Sequence, residues 1–367
     1  MAPVTIPLND LGRHNSPLLD ELRSATGRVV DSGWYLLGKE SAAFERNFAE
    51  YCGTRHTIGV ANGTDAIELS LRAAGVVRGQ SVITVANAGF YTTAAIQAIG
   101  ATPIFVDVEP TTQLMSAETL AQALKRLTPA AIVVTHLYGR LAEMDEIVHL
   151  CKGRAVPLIE DCAQAHGASR AGKRAGSFGL AGCFSFYPTK NLGALGDAGA
   201  IVSSDDAFAD RIRSLRQYGW HGKYQVAEVG GRNSRIDEIQ AAVLNVKLPR
   251  LETWNKRRRT IACAYANGIK NSRVTCPPTS GDDFVAHLYV VQCPEREALR
   301  KHLAQKGIGS EIHYPIPDHM QSVLASGGSI HELPVTERLA PQILTLPNFP
   351  EMTDDECSTV IDAINTW

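Results

Sequence analysis

Between residues 57 and 160, short apolar segments alternate with helical stretches, and few folds accept such a pattern. Segments 57–61, 82–85, 103–106, 131–135 and 156–160 read as strands, and helical periodicity starts near Gly63, Tyr91, Ala117 and Glu143. Strands joined through helices run parallel and need helices on both faces, so the pattern predicts an α/β fold around a mainly parallel sheet. Before it, Ser16-Pro17 reads as an N-cap with proline at the first helical position, opening a helix that ends near Gly33; a second helix spans roughly 40–51. After it, a long helical region runs from about Arg235 to Ile269 with a break at Pro249. Beyond Pro277-Pro278 the pattern restarts as a strand at 288–293, a helix at 295–305, a short strand at 310–313 and a last helix at 354–364. Two domains are expected: residues 1–250, holding the N-terminal helices and the large sheet, and residues 251–367, holding a connecting helix and a small α/β unit.

Composition excludes several functions. A formal net charge of −2 gives no electrostatic footprint for nucleic acid. No run approaches the about 18 apolar residues of a membrane span, and no leader precedes the first helix, so a cytoplasmic location is expected. The eight cysteines form no CxxC pair and suggest neither a metal site nor a disulfide framework.

Ligands of open α/β sheets sit beyond the carboxyl ends of the strands, where three segments converge. Asn62-Gly63-Thr64-Asp65 turns from a strand into a helix and offers backbone N–H groups and the Thr64 hydroxyl to an anion; it is equally an ordinary turn and N-cap. Leu158-Ile159-Glu160-Asp161 delivers two carboxylates to a strand end. In Phe184-Ser185-Phe186-Tyr187-Pro188-Thr189-Lys190, strand alternation sends Ser185 to the side opposite the phenylalanines. Lys190 lies among apolar and small residues that solvate an ammonium poorly. A lysine amine paired with a strand-end carboxylate is what pyridoxal phosphate (PLP) chemistry needs, the amine forming the Schiff base and the carboxylate keeping the pyridine nitrogen protonated.

These residues resemble the DegT/DnrJ family of PLP-dependent sugar-nucleotide aminotransferases, from Gly33-Trp34-Tyr35-Leu36-Leu37-Gly38 to Tyr314-Pro315-Ile316-Pro317-Asp318-His319. The resemblance implies the aspartate aminotransferase-like fold type I, with a mainly parallel seven-stranded sheet between helices and a small C-terminal α/β domain. By it, Lys190 and Asp161 are the catalytic pair, Gln164 donates to the cofactor's 3′-hydroxyl, and Gly63, Thr64 and Ser185 hold its phosphate. For the aromatic on the cofactor ring Phe90 is preferred and Tyr91 held in reserve, since Asn87-Ala88-Gly89-Phe90 places one residue more before the aromatic than many relatives do. Asn233, in the run Gly231-Arg232-Asn233-Ser234-Arg235, is implied to complete the partner subunit's site, which makes the protein a homodimer with shared active sites. The residues alone give that run only as a helix start. Tyr35, Tyr187, Tyr218, His313, Tyr314 and His319 are candidates for sugar-nucleotide contacts, although a surface histidine in a proline-bounded loop is an equal reading for His319.

The implied reaction is transfer of an amino group from L-glutamate to a nucleotide-linked keto sugar, with the closest resemblance to enzymes acting at carbon 3 of dTDP-3-oxo-6-deoxyhexoses. Amination at carbon 4 is the runner-up. A PLP-binding regulator without turnover is the alternative from another class, and lysine at position 190 argues against the dehydratase relatives, which carry histidine there.

Overall fold

The computed structural model describes residues 5–324 and 332–367. Its centre is a seven-stranded sheet of β1 (His56–Val60), β2 (Ser81–Thr84), β3 (Thr102–Phe105), β4 (Ala131–Thr135), β5 (Leu158–Asp161), β6 (Ala181–Ser185) and β7 (Gly199–Ser203). The spatial order is β1-β7-β6-β5-β4-β2-β3. β7 runs antiparallel to both neighbours, whereas the other pairings are parallel. Six carboxyl ends therefore share one edge of the sheet.

Both faces are buried, as a parallel sheet requires, and strand alternation divides the residues between them. Ala131 and Val133 of β4, Ile159 of β5, and Ala181 and Cys183 of β6 pack with the helices Gly63–Ala73 and Asp206–Leu215. Ile132 and Val134 of β4 face a second cluster, and Phe184 and Phe186 a third built around Phe44 and Phe48. By the same alternation Thr135, Asp161 and Ser185, each two positions beyond a residue of the first cluster, point toward the helix Gly63–Ala73.

The C-terminal part adds a two-stranded antiparallel sheet of β8 (Tyr289–Gln292) and β9 (Ile343–Leu346), flanked by the helices Leu251–Gly268, Arg296–Gln305 and Asp354–Asn365. Its apolar core is continuous with that of the large sheet: Val134, Tyr265, Tyr289, Leu344 and Ile364 belong to one cluster.

Several sequence expectations are corrected. Ser16 is not an N-cap; Asp10 caps a short helix, Leu11–Asn15, by accepting from the Arg13 N–H at 2.9 Å, and Ser16–Leu18 is a 3-10 turn leading into the helix Leu19–Ser32. The helix expected from Arg235 starts at Glu238, because Asn233 and Asp237 pair in extended conformation with Gln217 and Leu36. The Pro249 break is present as the 3-10 turn Leu248–Arg250. At 310–313 only a single bridge forms, Glu311 with Thr345. The chain then leaves the ladder: the His313 carbonyl accepts from the Tyr138 hydroxyl at 2.6 Å, and its imidazole Nδ1 pairs with the Thr345 hydroxyl at 2.8 Å. β7, β9 and the helix Pro334–Leu339 were not anticipated.

Candidate functional site

The strand ends open into a cavity of about 640 Å³ lined by Gly63, Thr64, Asp161, Gln164, Ser185 and Lys190, together with Tyr91 and Tyr187. One wall is the amino end of the helix Gly63–Ala73. Asn62 caps it, its Oδ1 accepting from the Asp65 N–H at 2.8 Å. A Cβ at position 63 would stand 2.7 Å from the Ser185 Cβ, so glycine is what lets the helix approach the end of β6 this closely. Helix N–H groups and two hydroxyls, those of Thr64 and Ser185, thus form one anion cradle.

The opposite wall carries the titratable pair. Asp161, at the end of β5, is buried; its Oδ2 accepts from the Thr92 hydroxyl at 3.0 Å and its Oδ1 from the Ala163 N–H at 3.1 Å. Burial pushes its pKa above the usual carboxylate value, against those two hydrogen bonds and the nearby Lys190 ammonium. Burial also lowers Lys190, to about 8, while Asp161 acts to raise it. An amine whose pKa is brought toward neutrality, in one cavity with a buried carboxylate, can serve as nucleophile and proton carrier.

Gln164 is buried behind the cavity, its Oε1 accepting from the Tyr138 N–H at 2.6 Å and its Nε2 donating to the Tyr314 hydroxyl at 3.1 Å. Tyr91, not Phe90, lines the cavity, and its ring meets Tyr314 edge-on at 6.0 Å between centroids. Phe90 has a positive φ of 72°, with its N–H donated to the Asp318 carboxylate at 2.9 Å; from that left-handed position the helix Tyr91–Ala98 begins with Tyr91 at the cavity. The residue before it must be glycine: Gly89 has φ +81°, and a Cβ there would lie 2.8 Å from the Tyr314 ring.

A second chamber of about 300 Å³ adjoins the first, sharing Tyr91, Gln164, Tyr187 and Lys190, and it is lined further by His313, Tyr314, His287, Arg258 and Asn348. Besides Phe90, four candidate residues stand apart from both chambers. Tyr35 is exposed, and its carbonyl accepts from the Glu238 N–H at 3.0 Å. Tyr218 is exposed with its ring 5.2 Å from Trp220. Asn233 is exposed, its Oδ1 accepting from Arg235 at 2.5 Å. His319 is turned away, packed near Phe105 and bonded to Glu337 at 3.1 Å, because the adjacent Asp318 is held by Phe90 and Thr93.

Sequence reasoning missed the roles of Thr92, Asp318 and Arg258, whereas Glu160 was placed at the strand end without its partners. Arg258 had a signal, since it shares a helical face with Ile261, Ala262 and Tyr265. Glu160 is fully buried and accepts from the N–H groups of Gly176, Phe178 and Gly179 at 2.8 Å and pairs with His136 at 3.0 Å. The His136, Glu160 and Cys162 cluster has the proximity of a metal site, but these bonds, with the Ala142 N–H on His136 Nδ1 at 3.2 Å, already use its donor atoms to anchor the loop before β6.

The profile of the DegT/DnrJ/EryC1/StrS aminotransferase family matches residues 19–365. The chain is 43% identical over 363 residues to a dTDP-3-amino-3,6-dideoxy-alpha-D-galactopyranose transaminase of Aneurinibacillus thermoaerophilus, covering 99% of each chain. It is 42% identical over 359 residues to the erythromycin biosynthesis sensory transduction protein EryC1 of Saccharopolyspora erythraea, covering 97% of this chain and 98% of that one. The crystal structure of S. venezuelae DesV in complex with a ketimine intermediate superposes with a TM-score of 0.95 at 40% identity, covering 100% of this chain and 99% of that one. With a lysine in the turn after β6 and a buried carboxylate in one cavity, the fold type I architecture, and similarity along nearly its whole length, the chain belongs to the DegT/DnrJ/EryC1/StrS aminotransferase family.

Proposed function

We propose that the protein is a PLP-dependent transaminase that moves the amino group of L-glutamate to carbon 3 of a dTDP-linked 3-oxo-6-deoxyhexose. The observation that carries this reading is Lys190 and Asp161 in one cavity with the helix-terminal anion cradle. The cavity fits the cofactor in each of its parts: an amine of lowered pKa for its aldehyde, a buried carboxylate for its ring nitrogen, and the Gly63, Thr64 and Ser185 cradle for its phosphate. When bound, PLP supplies an electron sink for the carbon that loses a proton.

The remaining work falls to the chain. Asp161, oriented by Thr92 and the Ala163 N–H, holds the proton at the ring nitrogen. Lys190 Nζ would anchor the cofactor and, when free, would carry the proton to and from the reacting carbon of the donor or the sugar. Gln164 presents its amide to the cofactor's hydroxyl, and Tyr91 takes the ring-facing position first assigned to Phe90. Tyr187, His313 and Tyr314 border the space left for the sugar nucleotide. Asn233 lines neither chamber of its own chain, which accords with its serving the site of a second subunit in a homodimer. The carbon 3 assignment follows the A. thermoaerophilus relative. A regulator without turnover, the reading that the name of EryC1 brings up, leaves the lowered pKa of Lys190 without a role.

The test is glutamate-dependent amination of matched dTDP-3-oxo-6-deoxyhexose and dTDP-4-oxo-6-deoxyglucose, with the carbon that gains nitrogen read by NMR. Nitrogen at carbon 3 is expected; nitrogen at carbon 4 would overturn the substrate assignment, and absence of any glutamate-induced change in cofactor absorbance would overturn the transaminase reading.

A further inference from the structure

Arg258 is a buried cation whose charge no carboxylate of the described residues neutralises by direct contact. It lies on the helix Leu251–Gly268, 4% exposed, and its Nη1 donates to the backbone carbonyls of His287, at 3.3 Å, and Asn348. Its Nε–H has no partner. Glu351, the carboxylate whose field reaches it, is paired instead with His14 at 2.8 Å. Burial lowers Arg258 only to about 10, so it stays charged at neutral pH. A buried guanidinium without a counter-charge is expensive to maintain, and an entering anion would offset that desolvation.

Its position says which anion. Arg258 lines the second chamber and not the first, whereas Lys190 lines both. Among the described residues no cation besides Arg258 and Lys190 lines the chamber, because burial lowers the pKa of both His287 and His313. An amino donor must place its α-carbon beside Lys190 for proton transfer, so with the cradle in the first chamber the donor extends into the second, where Arg258 offers a site for its distal carboxylate. We infer that Arg258 binds the side-chain carboxylate of a dicarboxylic amino donor, and that this contact selects L-glutamate over neutral amino acids. The inference rests on the transaminase reading above. A guanidinium can meet that carboxylate through its Nη2 and Nε edge while Nη1 keeps its carbonyl bonds.

The experiment compares Arg258→Gln and Arg258→Lys holoenzymes with wild type in the donor half-reaction, followed by cofactor absorbance with L-glutamate and with L-glutamine, which lacks the second carboxylate. The apparent Kd for L-glutamate should rise about tenfold or more while that for L-glutamine is unchanged, as expected for losing a charged hydrogen bond. Calorimetric binding of glutarate, an unreactive dicarboxylate, should weaken in parallel. If both amino acids weaken equally, Arg258 meets the α-carboxylate they share or only clamps its helix, and the proposal fails. Should those variants not fold, Asn348→Asp decides: Asn348 lines the same chamber, its Oδ1 has no partner, and a negative charge there should weaken glutarate binding several-fold. Unchanged glutarate affinity in that variant overturns the proposal. A wild type that reacts with L-glutamate, beside Arg258 variants that keep its preference over L-glutamine, would sink this inference alone; a wild type inert to L-glutamate would sink the transaminase reading.

Discussion

Lys190 draws its chemistry from its surroundings and not from its sequence neighbours alone. With its pKa lowered by burial to about 8, the native amine gives up its proton before the unfolded one does. Between pH 8 and the ordinary lysine range the unfolded chain binds more protons, so this group adds stability as pH rises through that window. Imine formation between cofactor-free protein and an aromatic aldehyde should rise with a midpoint near pH 8 and be lost in Lys190→Ala; a midpoint near 10 would show that burial does not tune the amine. Glu160 is the structural counterpart of its neighbour Asp161. Glu160→Gln replaces one acceptor oxygen by a donor amide among three N–H groups, and it should destabilise the cofactor-free protein by about 2–3 kcal/mol in denaturant unfolding. Unfolding at the wild-type midpoint would contradict that anchoring role. From sequence, Glu160 and Asp161 are two carboxylates on one strand end; strand alternation puts them on opposite faces, but only the packed loop at 176–179 gives Glu160 its partners.

The first turn of the helix Tyr91–Ala98 joins three parts of the molecule. Tyr91 meets the cavity, Thr92 bonds Asp161, and Thr93 bonds Asp318 at 2.5 Å. Asp318 is buried and its pKa is raised to about 6 by that burial, against the hydrogen bonds from Thr93 and the Phe90 N–H. The sign follows from the raised value: the native state prefers the proton, so stability is greatest below the ordinary aspartate pKa and falls as pH rises through about 6. Each unit of separation corresponds to about 1.4 kcal/mol. Asp318→Asn should therefore lose less stability than wild type between pH 5 and pH 7.5, measured by thermal melting at each pH; identical losses would refute the assignment. The same element shows why Phe90 was preferred over Tyr91. Its left-handed backbone is stabilised by a carboxylate 228 positions away, which no local pattern reveals.

At the scale of the molecule, the small C-terminal unit and the large sheet share one apolar cluster. Residues 251–367 expressed alone should lack a cooperative melting transition by circular dichroism, because the cluster that holds Tyr265, Tyr289 and Ile364 would lose the part contributed by the large sheet; a sharp transition would establish that unit as an independent domain. The second chamber follows from the same arrangement, since Arg258, His313 and Tyr314 of the C-terminal part line it together with Lys190. By itself the sequence determined the parallel sheet, the strand ends that carry Asp161, Ser185 and Lys190, and the helix that opens at Gly63, because these follow from periodicity two, periodicity 3.6 and turn chemistry, all local properties of the chain. Only the tertiary structure decided the reversed β7, Tyr91 at the cavity, His319 away from it, and Arg258 without a counter-charge, because each depends on partners distant in the chain whose contacts and burial exist only once the chain is packed.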